Sequence, residues 1–444
     1  MPDAIETPVM IDASPTKDLF IEMLTRDVPL LWAILDVVDN SVDAAKARSI
    51  NGDLSPFKIT ITLNTEFLIL DNCGGLSRND AISHAFRFGR DSRNPATPFS
   101  VGQFGVGMKR TLFKLGDDFC VDSMTSDDSF RVQVNVSRWR QLPKWEFPIE
   151  STPGGEALLN HGLRIRVFNL HDVISLAFGD QTFINELREE IRRSHFMSID
   201  RGLTIEVNGV VLSIPDIGIK ASASVTPYHK KMVFTVTGAG DVSAEIWAGV
   251  SQRDPELAGW YVFCNERMVL AADQSFTTGW GEGGGRTVPK FHNDFAYFRG
   301  YVMFQAQDPK HLPWTSMKTG LDTDSKVYAW CKEAMITAMR GIIKALRDLA
   351  REKSERKVVG LRDGRLESAI ETAPLVKFAE IATDGVFTVP DPELPVDLVE
   401  TESSLNILYQ KPRDEVERAK ASLGVDSAKA VGEKTFEYYM KYGV

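Results

Sequence analysis

Cysteine is scarce in this chain: Cys73, Cys120, Cys264 and Cys331 are the four in 444 residues. They stand far apart, and no pair has zinc-ligand spacing or forms a C-x-x-C dyad, so a structural metal site or redox pair is not expected. Unpaired thiols suit a reducing compartment. No stretch approaches the ~18 uninterrupted apolar residues of a membrane span. The opening MPDAIETPVMID carries acids and no base ahead of its apolar run, unlike a secretory signal. A soluble, cytoplasmic protein with no membrane contact is therefore expected. An excess of basic residues is also missing: 51 Lys and Arg face 61 Asp and Glu, a net charge of −10. Any contact with a polyanion must then come from a local patch. No internal repeat is visible.

What is present is an ordinary globular balance, 43% hydrophobic and 25% charged, enough to fill a real core. At ~100–200 residues per domain the length suggests two to four domains. Residues 14–48 read as two helices, the first capped by Ser14 and the second opening at Pro29. FKITITL (57–63) and FLIL (67–70) read as strands, and residues 77–100 as a polar, mobile loop. Further strands are expected at 130–136 and 163–168, and a helix at 181–193. LTIEVNGVVLSI (203–214) is a hairpin with Asn208-Gly209 at its turn. Strands are expected at 231–237, 243–248, 260–264 and 267–271. One long helix follows from Asp324 to Lys357, with Lys and Arg in excess over Asp and Glu. Beyond Arg347 its charge density reads as a solvated or partner-facing surface. Residues 371–404 carry eight acids, one lysine and four prolines, a linker or extended arm. A final helix at 427–442 places Phe436 and Tyr439 on one face.

Three elements carry chemistry. In LLWAILDVVDNSVDAAKA (30–47), Asp36, Asn40 and Asp43 lie at i, i+4 and i+7, on one helix face. Alone this is equally the wet side of an amphipathic helix. Yet Asp and Asn are poor mid-helix residues, and a carboxylate one turn from a carboxamide can hold a water and a metal ion together. In FLILDNCGGLS (67–77) a strand ends in Asp71, followed by glycines that include Gly75. An acceptor there suits a base amino group, although an Asp-initiated turn explains the same residues. In Gly102-x-x-Gly105-Val106-Gly107-Met108-Lys109, glycines precede a helix whose first N–H groups can face phosphate. This is not a Walker loop, since Met108 stands where its lysine belongs, and it lacks the Rossmann glycine spacing.

Together, in this order, the elements resemble the GHKL (Bergerat-fold) ATPases, which include gyrase B, the large heat-shock chaperones, MutL, MORC proteins and histidine kinases. The resemblance covers residues 30–116 by motif and 14–323 by layout. It implies an α+β protein: a Bergerat α/β sandwich at 1–214 with an ATP lid at about 77–104, a smaller transducer-like domain at 215–323, and a mainly helical region at 324–444 containing the acidic arm. It implies ATP and Mg2+ as ligands. Asp36 takes the place of the general-base glutamate, one methylene shorter. Asn40 matches the magnesium-binding asparagine, and Asp43 lies on the same face. Asp71 matches the adenine-binding aspartate and Gly75 the glycine shaping that pocket. Gly102, Gly105, Val106, Gly107, Met108 and Lys109 fall on the phosphate-wrapping turn. Two further departures stand out: Cys73 replaces a glycine, and His161-Gly162-Leu163 replaces a Gly-Thr pair.

Downstream, LPWTSMKTGLD (312–322) puts Lys318 where the transducer lysine of gyrase B and MutL reaches the γ-phosphate. An ammonium there stabilises charge on the transferred group. GWYVFCNERMVL (259–270) resembles a transducer hairpin of MutL and MORC-type proteins. With no histidine before His84 and little chain after 323, the layout is closest to MORC-like proteins or the ATPase half of MutL. The resemblance implies a homodimer closing on ATP, a slow ATPase clamping DNA, and a link to prokaryotic genome defence. The alternative is a nucleotide-controlled module that recruits a partner effector protein without touching DNA.

Overall fold

The computed structural model describes residues 16–88, 99–101, 106–151, 161–215, 217–236, 240–285, 287–315, 318–381, 384–395, 407 and 410–442. The chain is α+β. Its contacts divide it into two units, Met1–Leu394 and Pro395–Val444.

The first unit is built on two main sheets. The larger has eight strands in the order Glu150–Ser151, Ser129–Asn135, Gly116–Met124, Gly162–Leu170, Phe67–Asp71, Lys58–Leu63, Thr204–Val207, Val210–Val211. All its pairings are antiparallel except that of Lys58–Leu63 with Thr204–Val207. Strand residues alternate in burial, with Ile59, Ile61 and Leu63 inside, as a sheet covered on one face requires. The cover is helical. Leu30–Arg48, Gly107–Leu115 and Gln181–Ser194 share one apolar core with the sheet through Ile34, Val38, Leu112, Leu115, Leu187 and Ile191. The expected hairpin turn is present, with Asn208 at φ 47° and Gly209 at 75°. The first helix, Lys17–Arg26, is capped by Thr16, whose Oγ1 accepts from Leu19 N–H; Ser14 lies outside the described residues.

The second sheet runs Tyr228–Val236, Gly240–Val250, Phe298–Ala306, Gly259–Cys264, Arg267–Asp273. It is buried on both faces. On one lies the helix Lys326–Val358, inserting Tyr328, Met335, Met339, Ile342, Leu346 and Leu349 against Trp260, Val262, Val302 and Phe304. On the other, Trp247, Tyr261, Phe263 and Tyr301 pack with Phe196, Met197 and Phe378.

The long helix packs against the second sheet across the expected boundary at 323/324, and beyond Arg347 it keeps the solvated character expected of it, with Arg351, Ser354 and Lys357 exposed and only Leu349 and Glu352 buried. The helix belongs to the core of the second sheet, because its apolar residues recur at helical spacing through Leu349. Part of the expected acidic arm is likewise attached. Leu375–Val376 pairs with Ile219–Lys220, and Thr388 and Gly385 bridge to Thr226 and His229. The division falls instead after Leu394. The central strand Phe298–Ala306 was not expected: buried at all but one position, it shows no alternation to read. Of the expected loop at 77–100, residues Arg78–Ala85 are helical.

The second unit contributes two helices, Arg413–Leu423 and Ala428–Tyr442. Phe436, Tyr438, Tyr439, Met440 and Tyr442 are exposed on the latter. Among the described residues no helix is long and apolar enough to cross a membrane.

Candidate nucleotide-binding site

The helix Leu30–Arg48 and the helix Gly107–Leu115 meet at close range. Thr111 donates its hydroxyl to the Ala33 carbonyl. Gly107 passes so near Asp36 that a Cβ there would lie 3.1 Å from the carboxylate. A side chain at this point would push the helix N-terminus, with its partial positive charge, away from the acid. Asp36 is part-buried, and its carboxylate is held by the guanidinium of Arg110 and, at 3.4 Å, by Lys318 Nζ. Asn40, one turn on, is exposed. Asp43 Oδ2 accepts the Val101 N–H at 2.8 Å. Burial raises the Asp43 pKa to about 6, with the neighbouring Asp39 adding to the rise.

Asp71 ends its strand almost fully buried. Its Oδ1 accepts N–H bonds from Cys73 at 2.9 Å and Leu163 at 3.2 Å, and its Oδ2 accepts the Ser41 hydroxyl at 2.6 Å. Burial raises its pKa, and these three donors pull it back. A carboxylate so fixed presents its remaining acceptor capacity in one direction, the geometry needed for an exocyclic amino group. Gly74 and Gly75 follow at φ 90° and 68°, conformations that favour glycine, and Arg48 donates to both carbonyls. A Cβ on Gly75 would collide with the Met124 carbonyl, and one on Gly162 with that of Asp71. Cys73 is fully buried and its thiol pKa is pushed up by that burial, so it fills space as a neutral side chain.

Of the phosphate-turn residues, Gly102 and Gly105 lie outside the described residues. Val106 accepts the Arg110 N–H at 2.9 Å, Gly107 begins the helix, and Met108 packs against the first core. Lys109 is buried and donates to the Ala85 carbonyl at 2.7 Å, tying this helix to the helical segment Ala81–Ala85. Burial lowers its pKa to about 8.

Lys318 arrives from beyond the second sheet, buried and at φ 58°, a backbone conformation that costs a non-glycine residue about 1–2 kcal/mol. Its ammonium lies 2.8 Å from Asp39 Oδ2. Asp39, fully buried, also accepts from Arg267, and His195 Nε2 sits 3.4 Å away. Burial alone would raise the Asp39 pKa, but Arg267, Lys318 and His195 outweigh it and hold the pKa near about 2. Burial drives His195 down to about 3, so its imidazole is neutral. Arg267 follows the turn Asn265-Glu266, both at positive φ. Asn265 Nδ2 donates to the Ser100 and Ala306 carbonyls at 3.1 Å each. Lys46 and Arg201 both pair with Glu266.

Sequence reasoning therefore missed Asp39, Arg110, His195 and Arg267. Asp39 precedes Asn40 within the first motif, and Arg110 follows Lys109 in the third, so an arginine one residue past that lysine was the signal available. Nothing local marks Arg267 or His195, because their partner lies far off in the chain.

A magnesium ion fits the exposed Asn40 side chain, since this ion takes one or two protein oxygens and otherwise phosphates and water. Among the described residues no group of three or more His, Cys, Asp or Glu could hold a metal.

Residues 29–156 match the family described as histidine kinase-, DNA gyrase B- and HSP90-like ATPases. The match supports the GHKL superfamily and nucleotide binding for this segment, which holds all three motifs. No curated protein matches the chain.

Proposed function

We propose that this protein binds ATP with Mg2+, hydrolyses it slowly and uses it to close a homodimeric, MORC-like clamp on DNA. The single observation that carries the reading is Lys318. It comes from the segment between the strand Phe298–Ala306 and the helix Lys326–Val358, yet its ammonium reaches Asp36 and Asp39 on the motif helix. A cation so placed couples the state of the nucleotide to the position of the second sheet.

In this reading Asp71 takes the adenine amino group, and the N-terminus of Gly107–Leu115 faces the phosphates. Asn40 supplies a ligand to Mg2+, which neutralises phosphate charge. Asp36 orients a water and accepts its proton as the oxygen attacks the terminal phosphorus. The bond from that phosphorus to the bridging oxygen breaks, and ADP leaves. Lys318 stabilises the charge that develops. DNA contact is supported by the outer face of Lys326–Val358, where Arg340, Lys344, Arg347 and Arg351 are all exposed at i, i+4, i+7 and i+11. Their spacing makes one basic stripe. Likeness to MORC-type proteins extends the reading to prokaryotic genome defence.

A second reading rests on the exposed aromatic face of Ala428–Tyr442: a nucleotide-controlled module that recruits a partner effector protein. Three measurements test these readings, and the third separates them. Asp36→Ala should retain ATP binding and stop turnover, and a non-hydrolysable analogue should double the mass of the full chain in solution. Unchanged turnover moves the base elsewhere, and a constant mass rejects ATP-gated dimerisation. Salt-sensitive DNA binding weakened by Arg340→Glu with Arg347→Glu favours the clamp. Absence of DNA binding at low salt, with and without analogue, favours recruitment.

A further inference from the structure

The charges around the motif helix do not balance. Asp36, Asp39, Asp43 and Glu266 face Arg110, Arg267, Lys318, Lys46 and Arg201. His195 is neutral, so among these groups cations exceed carboxylates by one. Asp39 and Glu266 hold Arg267, Lys46 and Arg201 at the second sheet's turn. The two cations that reach Asp36 are Arg110 and Lys318, and Lys318 is also held by Asp39.

Arg110 has donors to spare. It is part-buried, its Nη2 is on Asp36, and its Nε is buried with no hydrogen-bond partner among the described residues. It lies one turn into Gly107–Leu115, so its guanidinium and the helix N-terminal N–H groups share one end of the site. A planar fork of this kind matches phosphate oxygens two at a time.

From these observations we infer that Arg110 is a ligand of the nucleotide's terminal phosphate, masking Asp36 in the empty site and leaving it for the phosphate when ATP binds. The inference rests on the ATP reading above and adds to it a residue and an order of events. With the site empty, Asp36 is occupied by two cations and has no free oxygen pair to offer a water. The terminal phosphate competes for both cations. Arg110 shifts to it, and the carboxylate is released at the moment substrate is in place. ADP lacks that phosphate, so Arg110 stays on Asp36. Lys318 is better retained, because Asp39 holds it at 2.8 Å against 3.4 Å for Asp36.

The test is equilibrium binding of ATP and of ADP, each with Mg2+, to the full chain and to Arg110→Ala and Arg110→Lys. The wild-type chain should prefer ATP. Arg110→Ala should lose about tenfold in ATP affinity, the scale of one charge-assisted phosphate contact, while ADP affinity holds within about twofold. Arg110→Lys, which keeps the charge without the fork, should fall between. Equal losses for both nucleotides would make Arg110 a structural partner of Asp36 and overturn the inference, as would an unchanged ATP-to-ADP ratio. If the wild-type chain binds neither nucleotide, the ATP reading itself fails and takes this one with it.

Discussion

Asp39→Asn isolates the contact that joins the motif helix to the second sheet. The wild-type carboxylate is fully buried between Arg267 and Lys318, themselves 2% and 7% exposed. The substitution keeps the size and one acceptor but removes the charge, leaving Arg267 without this carboxylate and Lys318 with Asp36 alone. Breaking a buried pair in this way costs about 3–5 kcal/mol. The pKa gives a second route to the magnitude. A fall from 3.8 to about 2 corresponds to roughly 2–3 kcal/mol of preference for the charged form in the folded state. The two routes agree on a loss of roughly 2–5 kcal/mol. Urea unfolding followed by tryptophan fluorescence reads it, since Trp260 lies in the core of the second sheet. A double mutant supplies the control. Arg267→Met added to Asp39→Asn should cost much less than the two single changes summed, because each removes the other's uncompensated charge. A loss under about 1 kcal/mol, typical of surface pairs, or simple additivity in the double mutant, would refute the claim that this cluster fastens the sheet.

Lys318 tests strain against chemistry. Lys318→Gly and Lys318→Met should both slow hydrolysis, yet the glycine variant should be the more stable of the two by about 1 kcal/mol, because it relieves the positive φ. Equal stability would remove the strain from the account. Gly75→Ala should weaken ATP binding and destabilise the fold, since the new Cβ meets the Met124 carbonyl and positive φ disfavours it; wild-type affinity would detach this turn from the adenine site. For pH, His195 has its folded pKa lowered from 6.5 to about 3. The unfolded chain takes up that proton first, so stability is complete above 6.5 and falls on acidification towards 3, by at most about 1.4 kcal/mol per pH unit. Asp43 acts oppositely: its raised pKa, from 3.8 to about 6, contributes stability below 3.8 that is lost as pH rises through 6. His195→Gln should therefore flatten the acid loss, and Asp43→Asn should gain stability relative to wild type above pH 6. Unchanged profiles would place both groups in ordinary surroundings.

The spacing of Asp36, Asn40 and Asp43 was legible because helical period is local, and so was the Asn208-Gly209 turn. Lys318 was found by its place in a chain layout rather than by any local pattern. What escaped was non-local or aperiodic. Asp39 carries no local signal, because Arg267 and Lys318, which close on it, are each more than two hundred residues away. Phe298–Ala306 escaped as a strand because a doubly covered strand has no polar side to alternate. The end of the long helix was legible in part: Arg347, Arg351 and Lys357 are exposed as its charge suggested, but Leu349 and Glu352 between them are buried. Glu352 is satisfied by the N–H groups of Leu366, Glu367 and Glu393, partners no charge count reveals.

The central claim is that Asp36, Asn40 and Asp71 belong to one ATP site. Equilibrium binding of ATP to the full chain, with Mg2+ present and then chelated, compared between wild type and Asp71→Asn, tests it most directly. The account predicts saturable binding that weakens without Mg2+, and a loss of about tenfold or more in Asp71→Asn, where an amide N–H replaces the acceptor for the base. Binding of equal strength in the variant, or none in the wild type, would contradict it.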